Sequence, residues 1–219
     1  MVWVELARAL LPGGDVLTLR QRGDDFEIRC NLAELMSSRA SVSERAMAPI
    51  ACGLIHRADA RVLIGGLGMG YTLRAVLDEV GCDARITVAE LVPEVIAWNR
   101  GPLADLAGQP LDDSRVTVYG GDVGDAIREN PHRFECVLMD VDNGPDAVLF
   151  PSNESLYSAD GVRLILSALT PGGVLGVWSA DRSAKFERVL ETGGIPYERV
   201  DVNVREAGPA HTIYLTQGR

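Results

Sequence analysis

The chain has 219 residues, 47% of them hydrophobic and 5% aromatic, with 21 basic against 31 acidic side chains and a formal charge of −10. That length supports one large domain with a small appendage, and the acidic balance argues against nucleic acid and anionic membrane surfaces as partners. The first fifteen residues, MVWVELARALLPGGD, are too short and too acidic for a signal peptide or a membrane span. Cys30, Cys52, Cys82 and Cys136 stand far apart with no C-x-x-C pair and only three histidines accompany them, so they read as reduced thiols of a cytoplasmic protein and no metal site is expected.

Residues 16–20 and 26–30 are strand-like and flank Gln21-Arg22-Gly23-Asp24-Asp25, which predicts a β-hairpin. This hairpin fills a small N-terminal appendage over residues 1–42, with the main domain at 43–219. A two-stranded ribbon is marginal alone in water, so it should pack on its own domain or on a second copy, which makes a homodimer the expectation. A helix is predicted over 43–57. Short apolar, β-branched runs then follow at 62–64, 86–89, 116–119, 136–139 and 174–178, as expected of strands buried on both faces. Leu73, Val76, Leu77 and Val80 fall at helical spacing between them, as do Val162, Ile165, Leu166 and Leu169, which run into the stop signal Thr170-Pro171-Gly172-Gly173. Such alternation specifies an α/β fold with a parallel sheet and helices on both faces. Residues 197–204 and 211–216 are too close together for a crossover and predict a C-terminal antiparallel hairpin, giving seven strands in a mixed sheet.

The densest signal is Gly66-Leu67-Gly68-Met69-Gly70, between the first core strand and the helix after it. Glycine costs backbone entropy, so a cluster means that something must approach the backbone. No Gly-Lys-Ser/Thr follows, which excludes a P-loop, and Tyr71 stands where a dinucleotide fingerprint needs its third glycine. A nucleoside ligand without a pyrophosphate remains, S-adenosylmethionine above all. Each later strand ends in a polar residue aimed at the same crevice. Glu90, with Leu91 beside it, is placed to accept ribose hydroxyls. Asp122, after Gly121 and before Val123, is placed for the adenine amino group, or else caps the next helix. Asp140 opens the acidic loop Val141-Asp142-Asn143-Gly144-Pro145.

These residues resemble the spermidine synthase group of the class I S-adenosylmethionine-dependent transferases, which share a Rossmann-like fold. The glycine loop followed by Thr72-Leu73-Arg74, the ribose acid Glu90, the Gly121-Asp122 pair, the acidic loop with Gly144-Pro145 and Leu149-Phe150, and the turn at Pro171-Gly172-Gly173-Val174 all match. The resemblance implies a sulfonium donor, S-adenosylmethionine or its decarboxylated form, held by Gly66, Gly68, Met69, Gly70, Glu90, Leu91, Gly121, Asp122, Val123 and Asp140. It also implies a small-molecule acceptor. Asp140 is the candidate general base or amine anchor. Asp142, Asn143, Tyr157 and Trp178 are expected to line the acceptor pocket, with Ser179 and Asp181 beside Trp178 and with Glu154 and His211 as weaker candidates. Ser43 and Glu44 begin the helix before the first core strand and are expected to cap it, near where the related group places a functional glutamate.

Two departures bear on the reaction. Aminopropyltransferases of this group carry an aspartate where Met69 stands, and the second aspartate of their acidic loop is here Asn143. A thioether offers nothing to an ammonium tail. The expectation from sequence is therefore methyl transfer to a small amine, hydroxyl or carboxyl acceptor, with aminopropyl transfer and nucleoside binding without transfer as alternatives.

Overall fold

The computed structural model describes residues 1–204 and 210–218. Its first four strands, β1 (Val4–Leu10), β2 (Val16–Arg22), β3 (Asp25–Cys30) and β4 (Ala33–Ser37), form one antiparallel sheet in that order. The predicted hairpin is β2–β3, turning at Gly23 with φ +62° and pairing Arg22 with Asp25. The appendage is larger than a hairpin, because β1 and β4 flank it. In β1 the inward-facing positions include Ala7 and Ala9, while Val4, Leu6 and Leu10 are exposed, so its alternation carries no hydrophobic signature. A tight turn at Asn31, φ +52°, links β3 to β4, and the Asn31 side chain ties back to the Val16 amide and to Asp15.

The second sheet is the expected seven-stranded mixed one. Its strands are β5 (Arg61–Gly65), β6 (Arg85–Glu90), β7 (Val116–Gly120), β8 (Phe134–Met139), β9 (Leu169–Ser179), β10 (Glu198–Asn203) and β11 (Ala210–Gln217), in the order β10-β11-β9-β8-β5-β6-β7. The five central and right-hand strands pair in parallel, and β11 runs antiparallel between β9 and β10. Residues 205–209, most of the link predicted between the last two strands, lie outside the described residues.

Among the described residues seven α-helices join the strands: α1 (Val42–Cys52), α2 (Tyr71–Glu79), α3 (Pro93–Asn99), α4 (Val123–Arg128), α5 (Pro151–Glu154), α6 (Ala159–Ser167) and α7 (Ala184–Thr192). Strand alternation sorts them onto two faces. Val62 and Ile64 of β5, with Cys136 and Leu138 of β8, join a buried cluster with α1, α2, α3 and the N-terminal sheet. Leu63, Val137 and Met139 point the other way, into a cluster with α4, α6 and α7.

Two boundaries differ from expectation. Helix α1 stops at Cys52, five residues early, with Gly53 following it. The Pro171-Gly172-Gly173 segment is not a turn before a strand: β9 already pairs with Phe134 at Leu169, and an irregularity in the β8–β9 register absorbs these residues. The sheet order reverses at β5, since the chain passes from β5 to β6 and β7 and then returns to the opposite side with β8. Ligand clefts form outside the carboxyl ends of strands at such a reversal.

Candidate functional site

What approaches the glycine loop is, first, the protein itself. The Asp140 amide donates to the Gly65 carbonyl at 2.9 Å, bringing the ends of β5 and β8 together. Gly66 has φ +89°, and a Cβ there would lie 2.1 Å from the Asp140 carbonyl oxygen. Gly68, φ +52°, would place a Cβ 2.6 Å from Cε of Met36 on β4. Only glycine fits at Gly66, where the obstacle is backbone, whereas at Gly68 it is the flexible end of a side chain and the left-handed backbone adds strain. Asn99 of α3 donates from Nδ2 to the Gly68 carbonyl at 2.8 Å and holds the loop from the side.

The loop borders an open cleft at the carboxyl ends of the strands. Of the residues predicted to hold a nucleoside, Gly66, Gly68, Glu90, Leu91, Gly121, Asp122, Val123 and Asp140 line it, and so do Asp142 and Asn143 of the acidic loop. Four do not. Met69 borders a smaller compartment next door, and Gly70 caps α2 with φ +82°. Tyr157 points its hydroxyl into the back of the acidic loop, donating to the Val141 carbonyl at 3.0 Å. Trp178 is buried in the core with its ring edge against His211, 5.0 Å between centroids. Neither aromatic faces the cleft, because β9 and the single 3-10 turn Ser155–Tyr157 that follows α5 turn them toward the core. Sequence reasoning missed the opposite wall, where Leu17, Ile28, Leu35 and Met36 come from the N-terminal sheet.

The carboxylates of the cleft are already engaged. Glu90 accepts from the Val92 amide at 2.8 Å with Oε1 and from the Leu67 amide at 3.0 Å with Oε2, pinning β6 to the glycine loop. Burial pushes its carboxyl up from the ordinary range, and the surrounding amides pull the other way. Asp122 caps α4 by accepting from the Gly124 amide at 2.6 Å while also lining the cleft. Asp142, φ +55°, folds its own loop: Oδ1 accepts from the Leu149 amide at 3.0 Å and Oδ2 from Asn153 Nδ2 at 2.9 Å. Burial raises its pKa too. Ser179 supports the same loop from β9, close against Gly144, and the Ala180 amide donates to the Asn143 carbonyl at 3.2 Å.

The neighbouring compartment, a narrow one, shares Met36, Gly68 and Asp140 with the cleft and adds Glu44, Met69, Tyr71 and Thr72. Two acids therefore line one small space. Burial raises the Asp140 pKa to about 7, the Glu44 charge adds to the rise, and the Thr72 hydroxyl, donating to Oδ2 at 2.6 Å, opposes it. Burial also raises Glu44, opposed by the Ser43 hydroxyl at 2.6 Å and by Arg45. A carboxyl near neutrality is half ionised at the pH of most cells, the condition in which it accepts a proton most usefully. Two partly unsatisfied carboxylates in a confined space also favour a cation between them.

No protein-family model matches the sequence. Among curated proteins, polyamine aminopropyltransferase 1 of Streptomyces coelicolor is 33% identical over 167 residues, covering 71% of this chain and 30% of the relative. Polyamine aminopropyltransferase 2 of Pseudomonas aeruginosa is 31% identical over 128 residues, 57% of this chain and 34% of the relative. The polyamine aminopropyltransferase of Sulfolobus acidocaldarius is 27% identical over 136 residues, 62% and 42% of the two. The matches thus span less than half of these relatives' length. Among solved structures, a spermidine synthase in complex with the transition-state analogue AdoDATO superposes with a TM-score of 0.76 at 14% identity, over 98% of this chain and 72% of that one. Spermidine synthase from Thermotoga maritima gives 0.77 at 14% identity, over 98% and 73%. At that identity the likeness is one of fold.

These findings bear out the resemblance read from the motifs and overturn one inference drawn from it. The favoured methyl transfer rested on Met69, and the relatives named here are aminopropyltransferases. Met69 is neutral, but Glu44 lines the same space and brings a carboxylate there from α1.

Proposed function

We propose that this chain, spermidine synthase-like in sequence and fold, transfers an aminopropyl group from decarboxylated S-adenosylmethionine to a primary amine of a small polyamine. The observation that supports this reading best is the pair of carboxyl groups, Glu44 and Asp140, lining one compartment that shares Met36, Gly68 and Asp140 with the cleft. A donor tail bearing an ammonium and no carboxylate suits that compartment, whereas an intact amino-acid tail would bring a third negative charge into it.

In this reading the cleft takes the nucleoside, with Glu90 toward the ribose and Asp122 and Val123 toward the base. Leu17, Ile28 and Met36 give it an apolar wall. The acceptor amine must lose a proton before it attacks the carbon next to the sulfonium. Asp140 borders both spaces, and its carboxyl titrates near 7. It takes that proton. Beyond this the protein aligns: holding the amine in line with the breaking carbon–sulfur bond accounts for roughly 7–11 kcal/mol of a barrier of this kind.

The test is product identity. The protein is incubated with decarboxylated or intact S-adenosylmethionine, with α,ω-diamines of three to five carbons as acceptors, and the nucleoside product is identified. Methylthioadenosine formed from the decarboxylated donor, and only when a diamine is present, is the expected result. S-adenosylhomocysteine from the intact donor, or no product from either, overturns the reading.

A further inference from the structure

Ser43 and His211 adjoin this site without a part in the chemistry above. Ser43 is fully buried near the start of α1, and its Oγ lies 2.6 Å from Glu44 Oε2 and 2.7 Å from Nδ1 of His211, near the start of β11. A hydroxyl has one proton and donates once, so these two contacts are coupled. When Glu44 is ionised, Ser43 donates to it and His211 must donate to Ser43 from Nδ1. When Glu44 is protonated, it donates to Ser43 and Ser43 donates to Nδ1, which leaves the ring proton on Nε2. The charge of an acid inside the compartment thus sets the tautomer of a histidine that borders neither the compartment nor the cleft and is partly exposed.

We propose that Glu44, Ser43 and His211 form a proton wire that carries the acceptor amine's proton out of the compartment. The inference rests on the transfer reading for its source of protons. The balance is simple. The amine N–H proton passes to Asp140, and from Asp140 across the shared compartment to Glu44. The Glu44 O–H bond then breaks toward Ser43 Oγ as the Ser43 proton moves to Nδ1, and the resulting imidazolium releases its Nε2 proton to solvent. Ser43 ends with the one proton it began with, the ring ends as the Nδ1–H tautomer and returns to Nε2–H by exchange with solvent before the next proton passes, and no electrons change hands. Ser43 and His211 act through Glu44 and are positioning residues.

The surroundings fit this direction of flow. Burial raises Glu44 and lowers His211, which narrows the gap a proton has to cross between a carboxyl and an imidazole. Arg45 favours the Glu44 carboxylate, and Tyr71 faces Glu44 from α2. Asp181, just after β9, favours the imidazolium, while Trp178 packs edge-on against the ring. Glu44 holds Asp140 toward its protonated form, and Tyr157 faces Asp140 and Asp142. Emptying Glu44 of its proton is therefore linked to the state of the base.

The test has two readouts. The chain has three histidines, so ring ¹⁵N shifts of His211 are assigned by comparison with His211→Gln. In the natural protein the ring should move from the Nε2–H to the Nδ1–H tautomer as rising pH ionises Glu44. In Ser43→Ala, and in Glu44→Gln, that response should vanish. A ring tautomer that responds to pH alike in the natural protein and Ser43→Ala overturns the wire, whatever the activity. With decarboxylated S-adenosylmethionine and 1,4-diaminobutane, Ser43→Ala should lower turnover at least tenfold with KM changed less than twofold, and Ser43→Thr, which returns the hydroxyl, should restore it. Turnover unchanged in Ser43→Ala also overturns the proposal. Absence of methylthioadenosine from the natural protein overturns the transfer reading and the wire's catalytic purpose together, and the tautomer readout then shows separately whether the hydrogen-bonded chain exists.

Discussion

The cleft and the compartment share Met36, Gly68 and Asp140, yet the chain builds them from opposite materials. The cleft is walled by apolar side chains from both sheets, and its carboxylates Glu90 and Asp122 already accept backbone amides. These two charges hold the protein's own loops in place. The compartment is the reverse. Glu44 and Asp140 each accept one close side-chain hydroxyl, burial raises both, and no cation of the chain forms an ion pair with either among the described residues. A satisfied carboxylate organises structure, and an under-satisfied one selects a ligand or moves a proton.

Replacing Asp140 by Asn breaks this contrast most severely. The amide keeps the shape and can still accept from Thr72, but it cannot take a proton. Turnover should fall by roughly 10²- to 10⁴-fold, with donor affinity changed by less than about threefold. The same variant tests burial. Asp140 has its folded pKa raised to about 7, so its ionisation costs stability that is intact below the ordinary Asp range and is lost as pH climbs toward 7. Asp140→Asn should therefore gain on the natural protein between about pH 4 and 7. Melting temperatures at pH 5 and pH 8 measure it, and an equal difference at both would show that Asp140 titrates as an ordinary surface acid.

On the cleft side, Glu90→Ala should unfold more easily by about 2–5 kcal/mol, because the amides of Leu67 and Val92 both lose a buried acceptor. Denaturant titration gives this value directly. Donor binding should weaken as well, since the glycine loop loses its tie to β6. Stability equal to the natural protein would mean that the carboxylate is reserved for ligand and does not build the loop.

How far the site was legible follows from how local each part is. The glycine loop, Glu90, Asp122 and Asp140 were readable because each sits at a strand end, and a strand end is marked by the short apolar run before it. The roles of Glu90 and Asp122 were only half readable. A carboxylate at a strand end looks the same in sequence whether it faces a ligand or an amide two residues on, and both turn to amides here. The wall from the N-terminal sheet was hidden although its central hairpin was legible, because Leu17 on β2 and Ile28 on β3 meet the cleft across the fold and no local pattern says which face of a hairpin packs there. The compartment was hidden because its contacts cross the chain: Thr72 reaches Asp140 over 68 positions, and Ser43 reaches His211 over 168. No local pattern records such a meeting, and so Met69 was weighed without the acid that stands beside it.

That hidden wall can be probed by a smaller change. Gly68→Ala adds a methyl 2.6 Å from Met36 Cε at a φ of +52°, and should cost about 1–2 kcal/mol, chiefly from the left-handed backbone. Met36→Ala in the same background should return the steric part, with a coupling of about 0.5–1 kcal/mol in the double-mutant cycle. Strictly additive effects would show that the N-terminal sheet does not press on the loop in solution.

The finest test of the contrast is Thr72→Val, which is nearly isosteric and leaves every charge in place. Thr72 is buried, and its hydroxyl donates to Asp140 Oδ2 at 2.6 Å, a bond that favours the ionised carboxylate. Removing the donor leaves burial and the Glu44 charge unopposed, so the Asp140 pKa should rise further above about 7. A hydrogen bond to a charged group contributes about 1.5–3 kcal/mol, part of which the neutral acid would have kept, so a rise of roughly one unit is expected. The acid limb of the turnover profile should move to higher pH by that amount while the plateau above it is retained, because the base itself is intact. Donor and acceptor KM on the plateau should stay within about twofold, since Val keeps the compartment's volume. A profile that keeps its acid limb and loses height at every pH would assign Thr72 to substrate binding, and the limb would then belong to a group other than Asp140.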